Sequence, residues 1–287
     1  MDVVDYFNEA VQKLQTLYSQ AEAEELMYWV YEDKLLIKKA HLKLFVKELG
    51  VAEEITLNFV LNRLRKGEPI QYILGYAYFM DLVLEVNSHV LIPRPETEEL
   101  VNWCLQLIHE KELAIPELNI LDICTGSGCI ALALKKKLPA ASIDALDISE
   151  EAISMVAKNA TSLKLPIELH TNSVLSPVGK AFLANHHAQI WISNPPYITE
   201  TEKEQMHQNV LDFEPHLALF VPNSNPLLFY SNILETFINA DKAKHLLFEI
   251  NEYQKDALIL IVSEKPVNFT FKKDLQGKDR MLLISKK

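Results

Sequence analysis

The sequence predicts an α/β fold: a mostly parallel, seven-stranded sheet with an antiparallel edge, preceded by a small all-helical domain. From about residue 118, apolar strand-like runs alternate with amphipathic helical runs, which indicates a parallel sheet covered by helices on both faces. Two consecutive strand-like runs at the C-terminal end, joined through Gly277, predict the antiparallel edge. With 287 residues, 49% of them hydrophobic, the chain can form one large core and one smaller core.

Residues 1–75 have the pattern of a helical domain, which we expect to dock or position a substrate. The first apolar stripe runs at three- and four-residue spacing from Val4 to Tyr18, and Gly67 with Pro69 ends the last one. Similar stripes cover Leu26–Val30, Ala40–Leu49 and Ile55–Leu64.

Residues 76–93 are predicted to be an extended connector with a short β-hairpin, and residues 94–287 the catalytic domain. Phe79–Val86 has an extended pattern, and Asn87-Ser88 is the predicted turn. Pro95 and the acidic residue after it suit the first turn of an amphipathic helix.

Strands and helices then alternate in the catalytic domain. The predicted strands are LNILDIC (118–124), SIDALDIS (142–149), IELHTN (167–172), QIWIS (189–193) and HLLFEI (245–250), followed by two more in 267–287. The predicted helices are CIALALKKKL (129–138), EEAISMVAKNATSL (150–163), a segment near 226–239, and EYQKDALILIVSE (252–264). Because ligands bind at the carboxyl ends of such strands, functional residues are expected there.

A glycine turn follows the first of these strands. Only seven glycines occur in the chain, and Gly126 and Gly128 both fall in this turn, where they leave backbone amides free at the start of a helix. Ala131 occupies the position of the third glycine of the dinucleotide fingerprint, and no P-loop lysine follows. Asp122 would repel a pyrophosphate but suits an ammonium group, so an adenosine that carries an amino acid fits better than a dinucleotide.

An acidic residue ends the second strand. Asp147 comes 19 residues after Gly128, about where a carboxylate accepts hydrogen bonds from ribose hydroxyls. The alternative is that Asp147 only caps the helix that starts at Glu150. Taken together, the glycine turn and this spacing favour nucleoside binding.

The fourth strand ends in Asn194-Pro195-Pro196-Tyr197. Proline cannot donate to a β-ladder, so the strand must stop there. A site that methylates a conjugated amide or arylamine nitrogen needs acceptors for both of its N–H groups. The Asn194 side-chain oxygen and the Pro195 carbonyl offer such a pair, the prolines hold it rigid, and Tyr197 offers a flat face. No strong base is required, because the N-methylated cation is acidic.

Composition excludes several other classes. The chain has no run of about 18 apolar residues, so a membrane span is not expected. Three cysteines without zinc-type spacing predict a reduced, cytoplasmic protein with Cys124 and Cys129 buried as small core residues. His186-His187 lacks companions at ligand spacing, so no metal is expected. A net charge of −11 weighs against nucleic acid as a direct partner.

The Asn-Pro-Pro-Tyr motif after the fourth strand resembles class I S-adenosylmethionine-dependent N-methyltransferases of amide and exocyclic amino nitrogens. Further segments resemble the release-factor glutamine methyltransferase family, PrmC/HemK, over nearly the whole chain. These segments are GEPIQYILG (67–75), LIPRPETEELV (91–101), DFEPHLALF (212–220) and KDLQGKDRMLL (273–283). The sister family that methylates a ribosomal protein usually lacks the Pro-Glu-Thr-Glu stretch seen at 95–98.

The resemblance implies N5-methylation of the glutamine in the Gly-Gly-Gln loop of class 1 peptide chain release factors, with S-adenosylhomocysteine as the second product. It implies that residues 194–197 hold the glutamine amide, with Asn194 touching both substrate and cofactor. The implied cofactor-binding residues are Asp122, Cys124, Thr125, Gly126, Ser127, Gly128, Asp147, Ser173 and Asn194. Arg94 and Glu96 are implied to lie near the site, either with a role there or as a salt-linked connector.

Two positions depart from the family pattern. Cys124 stands where the family often has glycine, a change that fits if its backbone dihedral angles are ordinary. Ser173 lies in TNSV, which replaces an acidic-then-aromatic pattern, so its backbone contact with the cofactor is expected but adenine stacking is not.

Three other readings stay open. A nucleic-acid methyltransferase acting on an exocyclic amine would have to extrude its base and needs a basic surface. A cofactor-sensing module without catalysis would be expected to have a degraded acceptor motif. A nicotinamide oxidoreductase would be expected to have the missing third glycine. A hydrolase is rejected because Ser127 has no suitable His/Asp partner order.

Overall fold

The structure is a computed structural model that describes residues 1–44 and 47–287. It comprises two compact units. The helical unit consists of Met1–Tyr76 together with His207–Phe213, and the sheet unit consists of Ala77–Met206 and Glu214–Lys287. No helix within the described ranges is long and apolar enough to cross a membrane.

Four helices of the helical unit come from its first segment: α1 (Val3–Leu14), α2 (Gln20–Leu35), α3 (Val51–Leu64) and α4 (Ile70–Leu74). Asp2 caps α1 by accepting from the Val4 amide at 2.8 Å, and the buried Tyr31 hydroxyl of α2 donates to the Val3 carbonyl at 2.9 Å. The stripe predicted over 40–49 is only partly tested. Lys39–Leu44 forms a 3₁₀ helix, and positions 45 and 46 lie outside the described residues.

A hairpin of β1 (Tyr76–Phe79) and β2 (Leu82–Glu85) follows α4, and all of it except Tyr76 belongs to the sheet unit. The chain turns through Met80 and Asp81, with Met80 in the left-handed region at φ 51°. The turn predicted at Asn87-Ser88 is confirmed, because the Val90 amide donates to the Asn87 carbonyl at 3.1 Å. The extended run predicted over Phe79–Val86 is instead interrupted by the Met80-Asp81 turn.

The main sheet has seven strands, as predicted. They are β3 (Asn119–Ile123), β4 (Ser142–Asp147), β5 (Glu168–Thr171), β6 (Ile190–Ser193), β9 (His245–Glu249), β10 (Val267–Lys273) and β11 (Asp279–Lys286), in the spatial order β10-β11-β9-β6-β3-β4-β5. The first five run parallel, and β11 pairs antiparallel with both β9 and β10. The antiparallel edge is thus confirmed. Two short strands, β7 (Ile198–Thr199) and β8 (Phe220–Val221), form a separate parallel pair.

Helices cover both faces of this sheet. They are α5 (Pro95–Glu110), α6 (Cys129–Lys137), α7 (Glu150–Leu163), α8 (Pro177–Asn185), α11 (Leu228–Asn239) and α12 (Lys255–Ser263). The short α10 (His216–Leu219) belongs to the sheet unit and lies at the cavity wall, and α9 (Gln208–Phe213) belongs to the helical unit. Side chains alternate between two apolar clusters: Ile190 and Ile192 of β6 pack on the side of α5 and α6, and Trp191 packs on the side of α11.

The sequence prediction missed α8. The sequence nevertheless contains a signal for the start of this helix. Ser176 caps it by accepting from the Gly179 amide at 3.0 Å, and Pro177 occupies the first helical position. Only nine residues long, the helix fills the connection between β5 and β6 on the face of α11.

Candidate active site

The turn after β3 lies at the carboxyl end of the sheet and leads into α6. Gly126 (φ 54°) and Gly128 (φ 80°) both adopt left-handed backbone angles, as the turn requires. A β-carbon on Gly128 would approach Val156 Cγ1 to 2.8 Å, so α7 packs directly on the turn. Cys124 also has a positive φ of 62°, so the condition of ordinary dihedral angles, under which cysteine fits in place of the family's glycine, is not met.

Cys124 is a partly buried free thiol that packs against the apolar cluster on the α11 side and also lines the cavity described below. Cys129 is buried in the core as predicted, and it too borders the cavity. The prediction that Cys124 is buried as a core residue was wrong, because the turn presents it to the cavity. Burial and the nearby Asp147 raise the pKa of the Cys124 thiol well above its ordinary value. The thiol is therefore protonated at neutral pH and is no nucleophile.

Asp122 is fully buried behind this turn. Its Oδ2 accepts from Thr125 Oγ1 at 2.5 Å and from the Ala131 amide at 3.2 Å, which ties the turn to the first residues of α6. Its Oδ1 has no partner among the described residues. Burial raises the pKa of Asp122 to about 7, although the hydrogen bonds from Thr125 and Ala131 act in the opposite direction.

Asp147 at the end of β4 faces the same turn. Its Oδ2 accepts from the Gly126 amide at 2.9 Å, and its Oδ1 accepts from the Ser149 amide at 3.0 Å. The cap of α7 is Ser149, whose hydroxyl accepts from the Ala152 amide at 3.1 Å. Burial raises the pKa of Asp147. Since a carboxylate offers about four lone-pair positions, Asp147 keeps acceptor capacity for a ligand.

The loop after β5 is held by a close backbone contact. A β-carbon on Gly179 of α8 would lie only 1.9 Å from the Ser173 carbonyl oxygen, so α8 touches this loop where only glycine fits. The same carbonyl accepts from Ser176 Oγ at 2.9 Å. Ser173 is thereby fixed at the cavity wall.

These segments enclose a cavity of about 360 Å³ at the carboxyl ends of β3, β4, β5 and β6. Its volume falls within the range typical of small-molecule sites. Of the predicted site residues, the wall includes Cys124, Thr125, Gly126, Ser127, Asp147, Ser173, Asn194 and Pro196. Asp122, Gly128, Pro195 and Tyr197 lie outside the wall.

The Asn-Pro-Pro-Tyr segment leaves β6 next to the glycine turn. Ser193 is in register with Ile123 of β3, and its hydroxyl donates to the Ile123 carbonyl at 2.6 Å. Pro195 and Pro196 are buried, while Asn194 is partly exposed at the cavity wall. The order of strands thus brings the proposed acceptor group and the nucleoside turn to one edge of the sheet.

Two residues that the sequence prediction did not select, Thr97 and Glu249, are hydrogen-bonded to the Asn-Pro-Pro-Tyr segment, and Thr97 also lines the cavity. Thr97 of α5 accepts a hydrogen bond from Asn194 Nδ2 at 3.2 Å, and its own hydroxyl donates to Glu249 Oε2 at 2.6 Å. Glu249, at the end of β9, also accepts from the Tyr197 hydroxyl at 3.1 Å. Burial raises the pKa of Glu249, with the hydrogen bonds from Thr97 and Tyr197 and the charge of Arg280 opposing it.

Sequence signals for these two residues existed. Thr97 stands inside the Pro-Glu-Thr-Glu stretch, and Glu249 is an acidic residue at the carboxyl end of an apolar strand. Neither signal indicated that the two side chains meet.

An ion pair between Arg94 and the buried Glu214 joins two parts of the cavity wall. Arg94 Nη2 donates to Glu214 Oε1 at 2.6 Å, and the Ile92 amide donates to Glu214 Oε2 at 3.3 Å. Residues 88–94 and 215–218 both contribute to the wall, so Glu214 joins two of its sides. Of the two alternatives for Arg94, this contact matches the salt-linked connector.

His186 has companions that sequence spacing did not show. His186 Nε2 lies 2.7 Å and His170 Nε2 lies 3.3 Å from Asp144 Oδ2, a grouping of potential metal ligands. However, the Ala188 amide donates to His186 Nδ1 at 3.1 Å, which leaves the ring proton on Nε2, where it donates to Asp144. Burial alone would raise the pKa of Asp144, but the two histidines outweigh it and lower that pKa.

Comparisons with known proteins agree with this architecture. Residues 105–214 match the family described as methyltransferase small domain. The chain is 39% identical to the release factor glutamine methyltransferase of Flavobacterium psychrophilum over 99% of each chain. It is 40% identical to the protein of the same name from Bacteroides thetaiotaomicron, covering 96% of this chain and 97% of that protein.

Solved structures share the fold at low identity. The delta-N METTL16 MTase domain has a TM-score of 0.53 at 16% identity, covering 81% of this chain and 96% of its own. A human methyltransferase 10 domain containing protein has a TM-score of 0.50 at 16% identity, with 81% and 97% covered. The sheet unit therefore has the class I methyltransferase fold that the sequence predicts.

Proposed function

The chain belongs to the family of release factor glutamine methyltransferases, and from this premise we propose that it methylates the side-chain nitrogen N5 of the Gly-Gly-Gln glutamine in class 1 release factors. The observation that carries the proposal is the position of Asn194. Asn194 directly follows β6 and lies at the wall of the cavity, next to the glycine turn that follows β3. A methyl acceptor held at Asn194 is therefore adjacent to a nucleoside held at the turn.

The cavity fits S-adenosylmethionine, which supplies an electrophilic methyl group when bound. The remaining acceptor positions of Asp147 suit the ribose hydroxyls, and the backbone of 124–128 and of Ser173 lines the rest of the wall. When Asp122 is ionised, its negative charge attracts the ammonium group of the cofactor through the glycine turn, since its Oδ1 has no partner among the described residues. These assignments make the turn and the ends of β4 and β5 the cofactor site.

For the substrate, we propose that Asn194 Oδ1 and the Pro195 carbonyl accept hydrogen bonds from the two N–H groups of the glutamine amide. An amide nitrogen is a poor nucleophile because its lone pair is delocalised. Two rigid acceptors draw the nitrogen toward tetrahedral geometry and so favour attack on the methyl group. Pro196 and Tyr197 complete the substrate site in this proposal, with the Tyr197 hydroxyl already engaged by Glu249.

We also propose that the helical unit docks the release factor and that the enzyme works in the cytoplasm. Three free cysteines support a reducing compartment. The net charge of −11 supports a protein rather than a nucleic-acid substrate.

The test is mass spectrometry of a class 1 release factor incubated with the protein and S-adenosylmethionine. We expect one added methyl group on the Gly-Gly-Gln peptide, absent with Asn194→Ala. Asn239→Ala, an exposed residue near the end of α11, is the matched control and should give wild-type methylation. Calorimetry with S-adenosylhomocysteine confirms that each variant still binds the cofactor product.

An unmethylated release factor, in the presence of protein that binds the cofactor, would overturn the proposed substrate. Ribosomal protein and then RNA are the acceptors to assay next, since the same acceptor pair also suits an exocyclic amine.

A further inference from the structure

Thr97 and Glu249 are hydrogen-bonded to the two ends of the acceptor motif, and Thr97 also borders the cavity. We propose that they are positioning residues, which set the end of the Asn194 amide that faces the substrate. The proposal rests on the proposed function above, since it concerns the acceptor for the glutamine N–H. Neither residue is needed to touch the substrate for this role, because both act through Asn194.

The first step concerns Glu249. As a carboxylate it only accepts hydrogen bonds, and at 1% exposure it has almost no access to water. Its two oxygens face the Thr97 hydroxyl at 2.6 Å and the Tyr197 hydroxyl at 3.1 Å. Both hydroxyls must therefore direct their protons toward Glu249.

The second step concerns Thr97, which is 2% exposed. A hydroxyl has a single proton, and that of Thr97 is committed to Glu249. Toward Asn194, Thr97 Oγ1 can only accept, and the group it meets at 3.2 Å is Asn194 Nδ2. The opposite orientation of the amide would bring two acceptor oxygens together.

The third step concerns the substrate. With Nδ2 directed to Thr97, Oδ1 is the end of the Asn194 amide left for another partner. A glutamine N–H needs an acceptor there, and a reversed amide would present an N–H donor instead. Losing one such directed hydrogen bond in a buried site typically costs ~10–100-fold in rate.

Glu249 also holds the other end of the same motif through Tyr197. One carboxylate therefore ties both ends of Asn-Pro-Pro-Tyr to the end of β9. Removing its charge should disturb both residues at once.

The test compares Thr97→Val, which keeps the side-chain shape but lacks the hydroxyl, with Thr97→Ser, which keeps the hydroxyl. We expect Thr97→Val to lower kcat for release factor methylation ~10–100-fold, with KM for the release factor and Kd for S-adenosylhomocysteine within about 3-fold of wild type. Thr97→Ser should keep kcat within about 3-fold. Thr236→Val is the matched control, because Thr236 is also buried but bonds only within α11.

Glu249→Gln gives an independent measurement. Since it acts through the same chain of hydrogen bonds, the double variant with Thr97→Val should lose little more kcat than the more impaired single variant. Additive losses, an unchanged kcat in Thr97→Val, or an equal loss in Thr97→Ser would overturn the proposal.

A readout without substrate separates this proposal from the proposed function. In protein labelled with ¹⁵N-asparagine, the Asn194 side-chain amide signal is identified by its loss in Asn194→Asp. Its proton exchange should be ~10-fold faster in Thr97→Val than in wild type or in Thr236→Val. Equal exchange rates would overturn the positioning role, whether or not the release factor proves to be the substrate.

Discussion

The Arg94 guanidinium donates to the buried Glu214 carboxylate at 2.6 Å and joins two sides of the cavity wall. Arg94→Ala leaves that carboxylate with the Ile92 amide as the remaining donor among the described residues. Because the Arg94 side chain is itself 33% exposed, we expect a loss of about 1–3 kcal/mol in the free energy of unfolding. Urea denaturation measures it.

The matched control for this ion pair is Lys13→Ala. Lys13 pairs with Glu9 on the surface of α1, where both side chains are more than 40% exposed, so the loss should stay below about 0.5 kcal/mol. If Arg94→Ala were as stable as Lys13→Ala, Glu214 would not depend on the pair.

Cys124 adopts the left-handed backbone region in which a β-carbon is strained. Cys124→Gly should therefore be more stable than Cys124→Ala by about 1 kcal/mol, since both lack the thiol but only glycine lacks the β-carbon. Urea denaturation of the two variants measures the difference. Equal stabilities would show that the turn holds a β-carbon at this position without strain.

Gly179→Ala should disturb the proposed cofactor site although Gly179 itself does not line the cavity. Its β-carbon would lie 1.9 Å from the Ser173 carbonyl, so α8 or the loop after β5 must shift. We expect a loss of about 2–4 kcal/mol in unfolding free energy and weaker S-adenosylhomocysteine binding by calorimetry. Gly50→Ala is the control, because its β-carbon would meet nothing closer than 3.5 Å. Unchanged binding in Gly179→Ala would separate the loop from the cofactor.

The buried Asp122 predicts a pH dependence of stability. Its native pKa of about 7 lies above the ordinary value for aspartate, so the native state binds more protons than the unfolded state in the range between the two. The contribution of Asp122 to the free energy of unfolding is fully present below the pKa that this residue has in the unfolded chain. It is lost as the pH rises toward the native pKa of about 7, by about 4 kcal/mol at most. Relative to wild type, Asp122→Asn should gain stability across that range, as measured by thermal unfolding from pH 4 to pH 8. Parallel curves for the two proteins would contradict the shift.

Much of the fold follows from periodicity. The seven strands of the main sheet and the helices α5, α6 and α7 lie where the apolar pattern predicts them, because each buries a face or a stripe. The prediction missed helix α8 because the helix is short, although Ser176-Pro177 is a typical helix-start signal. The hairpin turn at Met80 was missed because no glycine or asparagine marks its positive φ.

In the candidate site, too, some residues could be predicted from the sequence pattern and others could not. Residues such as Asp147 and Asn194 could be predicted, because each directly follows or ends a strand whose position the pattern defines. Thr97 and Glu249 are 152 residues apart, and their contact depends on α5 packing near the end of β9. Spacing along the chain contains no information on such a contact. The same applies to Asp144 and His186, which meet across 42 residues.

The short helix α9 belongs to the helical unit although it lies between two segments of the sheet unit. The backbone therefore passes from one unit to the other at 76–77, at 206–207 and again at 213–214. A single proteolytic cut between residues 76 and 77 gives two fragments. The larger one, residues 77–287, still contains α9 of the helical unit. Deleting residues 1–76 would leave α9 without the rest of its unit, so one truncation does not separate the two units, and the helical unit cannot be transferred as one continuous segment.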